Sequence, residues 1–120
     1  MRRMNMTEMQ DMQDRVDEYI GQFKEGYFPP LVQLARLTEE VGELSREINH
    51  VYGQKKKKTS EAYKPMEEEI ADVLFVLISL SNTLDIDLSK AFELTMKKFE
   101  SRDYFRFERK DGQTDTDANS

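Results

Sequence analysis

Apolar residues recur every three or four positions in four separate stretches of the chain, the repeat expected of one helical face. Met9, Met12, Val16, Tyr19, Ile20 and Phe23 form the first stretch. Gly26 and the pair Pro29-Pro30 close it, because proline lacks an N–H and restricts the residue before it. Leu31, Leu34, Leu37, Val41, Leu44, Ile48 and Val51 form the second and most regular helix, to about Tyr52, with Gly53 placed to cap it. Residues 54–64 carry Lys55 to Lys58 without an apolar repeat, which predicts a loop extended by its own charge. Pro65 and Glu67-Glu68-Glu69 suit the first turn of a third helix. From Ile70 to Leu80 nine of eleven residues are apolar, so this helix is expected to be buried nearly all round. After Asp85-Ile86-Asp87, with Asp87 as N-cap, a fourth helix runs through Ala91, Phe92, Leu94, Thr95 and Phe99 toward Phe105.

No alternating strand pattern and no internal repeat is visible, so the pattern predicts an all-α, four-helix-bundle type of fold in one helical domain over residues 1–110. Residues 111–120, with one alanine and no larger apolar side chain, are expected to form a disordered tail. A third helix apolar on every side exceeds what one small bundle can cover, which predicts an oligomer.

Composition then narrows the function. Across 120 residues, 24 acidic groups outnumber 18 basic ones for a net charge of -6. This balance disfavours nucleic-acid backbones, which require cations, and anionic lipid. The third helix is too short for a bilayer, which takes ~20 apolar residues, and it contains Asp72. Polar residues from Asn5 to Asp11 stand where a secretion signal would be apolar, so a cytoplasmic location is expected. With no cysteine and only His50, thiol and serine triads and multi-histidine zinc sites are excluded. Five scattered glycines form neither a P-loop nor a dinucleotide fingerprint. Carboxylates, lysines and arginines remain as carriers of chemistry.

At 100° per residue, Glu40, Glu43 and Glu47 lie along one edge of the apolar stripe of the second helix, while Glu39 points further toward solvent. Glu69 and Asp72 share a face of the third helix, and Asp72 is embedded among Ile70, Ala71, Val73, Leu74 and Phe75. Taken alone, the glutamates of the second helix read as solvated side chains paired with Arg36 or Arg46. Asp72 alters that balance, since no basic residue lies one turn to either side and an ionised group in an apolar helix requires a partner. Facing carboxylates ~5 Å apart repel by about 3 kcal/mol per pair at an effective dielectric of ~20. Either some are protonated or a divalent cation lies among them, and all-oxygen ligands select Mg²⁺, Mn²⁺ or Ca²⁺. Mg²⁺ in a half-open carboxylate site points to a phosphate-bearing substrate.

The segment Glu39-Glu40-Val41-Gly42-Glu43, followed after 25 residues by Glu69-Ile70-Ala71-Asp72, resembles the E-E-x-x-E and E-x-x-D signature of MazG-like nucleotide pyrophosphohydrolases. The similarity is greatest to their short, single-domain bacterial (YpjD-like) branch and covers about residues 14–105, including Ile20 to Phe28. It implies an all-α, oligomeric enzyme, a homodimer or homotetramer, that cleaves a nucleoside triphosphate between the α- and β-phosphates in nucleotide-pool sanitation. It further implies Mg²⁺ or Mn²⁺ held by Glu40, Glu43, Glu69 and Asp72, with Glu39 orienting or deprotonating the attacking water and Glu40 also part of the catalytic set. Lys98 and Arg102, four apart in the fourth helix, stand where the family carries a phosphate-binding basic motif, although cations also favour a helix C-terminus for dipole reasons. Glu100 departs from the Asn or Asp usual in that motif.

Two other functions fit the same residues: a phosphoribosyl-ATP pyrophosphohydrolase-like activity, and a non-catalytic helical interaction module. Among secondary candidates, His50 reads as a cap or surface residue and Lys55 to Lys58 as a solvated or nucleotide-steering run. Phe23, Tyr27 and Phe28 read as core or base-stacking groups, and Asn82 as a base-reading or helix-end residue.

Overall fold

The structure, a computed structural model, describes residues 8–53 and 65–118. Its helices are α1 (Met9–Ile20), α2 (Pro30–Tyr52), α3 (Met66–Thr83), α4 (Leu88–Arg102) and the single turn α5 (Asp115–Ala118). Among the described residues there is no strand, so the fold is all-α. The chain divides into two compact units, Met1–Asp87 and Leu88–Ser120.

In the first unit, α3 packs on both α1 and α2. Helix α1 ends at Ile20, a turn before the apolar repeat predicts. The chain turns at Gly21, and Phe23 N–H bonds the Ile20 carbonyl at 3.1 Å. Phe23 therefore keeps the helical spacing without lying on the helix. Pro30 opens α2 at its first turn, and Gly53 closes it with its N–H on the Asn49 carbonyl. Pro65 precedes α3, and the glutamates of its first turn face the partial positive charge of the helix N-terminus. At the far end of α3, Ile86 N–H bonds Ser81 O at 2.8 Å and Asp85 N–H bonds Asn82 O at 3.2 Å. These two bonds form a Schellman turn, with Asp85 in the left-handed region (φ 59).

The face that α2 buries differs from expectation. Gln33 and Glu47 are buried and Leu37, Glu40, Glu43 and Leu44 half-buried, whereas Leu34, Val41 and Ile48 are 50%, 47% and 43% exposed. The carboxylate edge of the stripe is thus turned inward and the opposite edge of the apolar stripe outward. Helix α3 is likewise not buried all round: Val76, Ile78 and Ser79 are buried, while Ile70, Leu74 and Leu77 are exposed. One α-helix has more apolar circumference than its neighbours here can cover.

Among the described residues of the first unit, Val76 and Ile78 are the buried apolar side chains, and a part-buried amide network lies beside them. Gln13 donates to Asn82 Oδ1 and to the Ile86 carbonyl, both at 2.8 Å, and Asn82 donates to Gln13 O and to the Tyr27 hydroxyl, both at 2.9 Å. Tyr27 in turn donates to Asp17 at 2.8 Å. Gln33 donates to Phe28 O at 2.6 Å and to Thr83 Oγ1 at 2.7 Å. The network joins α1, the 21–29 segment and the facing ends of α2 and α3. Asn82 is thereby explained as a structural residue.

In the second unit, α4 stops at Arg102, so Phe105 lies beyond it. Arg109 pairs with Asp111 and lies 3.7 Å from the Tyr104 ring centroid. Residues 111–118, for which composition predicts no structure, contain a turn at Gly112 (φ 79) and the turn α5. The positions from 110 to 116 are exposed, so local contacts rather than a core hold this segment.

Candidate metal centre

The antiparallel run of α2 and α3 follows from their ends: Gln33 near the start of α2 bonds Thr83 at the end of α3. The same alignment brings Glu40 and Glu43, one turn apart on α2, to Glu69 in the first turn of α3. One carboxylate oxygen from each of the three lies within 4.8 Å of the other two. Glu69 is 2% exposed and is the largest fully buried side chain among the described residues, and Glu40 and Glu43 are half-buried.

The donor set suits a hard divalent cation. It offers oxygen only and combines three negative charges over a distance that one ion of Mg²⁺, Mn²⁺ or Ca²⁺ type can span.

Other expected site residues are placed as follows. Asp72 is half-buried one turn after Glu69 and is not among the three clustered residues. Glu39 is exposed, as its angle on the helix predicts. Glu47, on the same edge as Glu40 and Glu43, is buried beside His50, with Oε1 4.0 Å from Nδ1. Both side chains are 4% exposed, so His50 is an interior residue rather than a surface cap. In the second unit, Lys98 Nζ lies 5.0 Å from the Phe99 ring centroid. Arg102 places Nε and a terminal nitrogen on the two oxygens of Asp103, each at 3.0 Å. This pairing raises the Arg102 pKa and holds Asp103 below its usual value, chiefly through the hydrogen bonds they share. The Lys55 to Lys58 run lies outside the described residues.

Gln33 was not legible as a site residue. A glutamine near a helix start carries no apolar or charge signal, and its burial emerges only once α3 is in place.

A cavity of about 420 Å³ is lined from α1, the 21–29 segment, α2 and α3, by Tyr19, Phe23, Phe28, Gln33, Arg36 and Phe75 among others. An acidic cluster beside an aromatic cavity can accommodate a cation-bound phosphate chain joined to a flat, largely apolar group.

The chain is similar to known proteins. Residues 28–107 match the model of the MazG nucleotide pyrophosphohydrolase domain. The chain is 61% identical over 103 residues to the uncharacterized protein YpjD of Bacillus subtilis (strain 168), covering 86% of this chain and 93% of that protein. The crystal structure of Bacillus subtilis YpjD is similar at a TM-score of 0.74 and 60% identity, covering 82% of this chain and 100% of that one. The crystal structure of a Bacillus-conserved MazG protein, a nucleotide pyrophosphohydrolase, is similar at a TM-score of 0.72 and 54% identity, covering 83% and 97%. This chain belongs to the MazG nucleotide pyrophosphohydrolase family and is a hydrolase of that kind.

Proposed function

We propose that the chain hydrolyses nucleoside triphosphates to the monophosphate and pyrophosphate, with Mg²⁺ or Mn²⁺ at Glu40, Glu43 and Glu69, in cytoplasmic nucleotide-pool sanitation. The observation that carries this reading is the convergence of those three carboxylates, within 4.8 Å, from two helices. Asp72, one turn along the same face as Glu69, completes the proposed ligand set. A cation there supplies Lewis-acid polarisation of phosphate oxygens and offsets charge on the leaving pyrophosphate.

The chain's own residues supply the rest. Glu39 and Glu40 are adjacent on α2, one exposed and one turned inward, so Glu39 reaches solvent beside the cluster and takes the role of orienting or deprotonating the attacking water. Lys98 and Arg102 share a face of α4 and are our proposed contacts to the phosphate chain. For Arg102, binding means exchanging Asp103 for a phosphate oxygen, a replacement its fork-shaped donor set allows. The nucleoside occupies the aromatic cavity.

Self-association as a homodimer or homotetramer belongs to the same proposal. It is supported by the outward apolar stripe of α2 and by the exposed Ile70, Leu74 and Leu77 of α3.

The test is a panel of (d)NTPs and phosphoribosyl-ATP with Mg²⁺, with separate measurement of pyrophosphate and orthophosphate. Pyrophosphate released from (d)NTPs and abolished by a chelator is the expected result. Orthophosphate as the direct product overturns the reading.

A further inference from the structure

The aromatic cavity is lined by residues one or two helical turns from the carboxylates on both α2 and α3. Gln33, Arg36, Glu40 and Glu43 follow one another along α2 at steps of three and four, and Glu69, Asp72, Val76, Ser79 and Thr83 do so along α3. On both helices the stripe runs from acidic oxygens to cavity wall. With a rise of 1.5 Å per residue, Arg36 lies about 6 Å and Gln33 about 10 Å along the axis from Glu40, a separation of the order of that between a phosphate and its base. Tyr19, Phe23 and Phe28 are substantially exposed, and Tyr19 meets Phe23 and Phe75 edge-on, with centroids 5.5 and 6.2 Å away.

The buried polar side chains that line this cavity, Gln33 and Ser79, present acceptors. Gln33 is 5% exposed, and its Nε2 is committed to Phe28 O and Thr83 Oγ1. The Phe28 carbonyl can only accept, so the amide cannot be turned over, and Oε1 is fixed as a buried acceptor that receives no hydrogen bond. Ser79, 6% exposed, donates its hydroxyl hydrogen to Phe75 O at 3.0 Å and retains only acceptor capacity. The Tyr27 hydroxyl donates to Asp17 and accepts from Asn82, so it offers no spare hydrogen. The side-chain donors of the cavity lie away from Gln33 and Ser79: the Tyr19 hydroxyl on a half-exposed side chain, and Arg36, exposed and one turn nearer the carboxylates, where the phosphate end of a nucleotide runs.

We infer that the cavity selects nucleobases with an exocyclic amino group, adenine and cytosine, over bases with a carbonyl at that position. An amino group brings two hydrogens to a wall of acceptors, whereas the carbonyl of thymine, uracil, guanine or hypoxanthine meets lone pairs with lone pairs. The inference rests on the nucleotide reading above and narrows it, for the deaminated forms of adenine and cytosine are then excluded.

Calorimetric titration of the full chain with dCMP, dAMP, dTMP and dUMP in Mg²⁺, beside kcat/KM for the matching triphosphates, tests it. Binding of dCMP and dAMP at least about tenfold tighter than dTMP and dUMP is expected, with the ratio collapsing in Gln33→Met and Ser79→Ala. Should Gln33→Met fail to fold by circular dichroism, Ser79→Ala carries the test, since its hydroxyl bonds only within α3. Equal affinities in the wild type, absence of binding, or a ratio unchanged in a folded variant overturns the inference, even where pyrophosphate is still released. Selective binding without hydrolysis sustains it and overturns the hydrolytic reading instead.

Discussion

Gln13 and Asn82, 69 positions apart, exchange hydrogen bonds: the Gln13 amide nitrogen donates to Asn82 Oδ1 and the Asn82 amide nitrogen to the Gln13 carbonyl. A buried donor or acceptor that loses its partner costs about 1–3 kcal/mol. Asn82 also donates to Tyr27, so one truncation releases α1, α3 and the 21–29 segment together. Asn82→Ala is therefore expected to cost about 2–3 kcal/mol, seen as a lower urea midpoint at unchanged slope.

Metal binding is expected to stabilise the fold, because a ligand that binds only the native state adds RT ln(1 + [L]/Kd). At a hundredfold excess over Kd, Mg²⁺ should add about 2.7 kcal/mol and raise the melting temperature of the wild type. Glu69→Gln, altering the buried member of the cluster, should abolish this shift and turnover together. Glu39→Gln should preserve the shift while lowering kcat by about 10²–10⁴-fold, because Glu39 is assigned to the water and not the cation. Loss of the shift in Glu39→Gln would reassign that residue.

Tyr27 gives an alkaline signature. Burial chiefly, and the hydrogen bond to Asp17, raise its pKa above 10.0, while the bond from Asn82 opposes them. The folded chain then retains a proton that the unfolded chain releases, so the associated stability is complete below pH 10 and disappears as pH rises through the folded value. Comparing chemical denaturation of wild type and Tyr27→Phe from pH 8 to 11 isolates this contribution. The stability difference between them should be flat below about pH 9 and change above it.

Val41→Glu and Ile48→Glu each place a charge on the outward stripe of α2. Sedimentation velocity should show the wild type as an assembly and these variants shifted toward monomer, with the helical signal retained. An unchanged sedimentation coefficient in both would remove this stripe from the interface.

The sequence was most informative where one residue type permits one backbone role. The ends of α2 were legible because Pro30 and Gly53 mark them, and the three clustered carboxylates were legible because turn-spaced acids on adjacent helices leave few other arrangements. The end of α1 was not, because Phe23 keeps the helical repeat while the backbone leaves the helix at Gly21. The rotation of α2 was also hidden. An apolar stripe shows which residues avoid water, but not whether a helix of the same chain or another molecule covers them. Burial of Gln13 and Gln33 depends on contacts distant in sequence, for which helical spacing carries no signal.

Because Glu40, Glu43 and Glu69 all come from a single chain, each copy in an assembly contains that cluster in full. Co-assembling active copies with Glu43→Ala copies should dilute activity in proportion to their fraction, rather than poison the wild-type subunits they join.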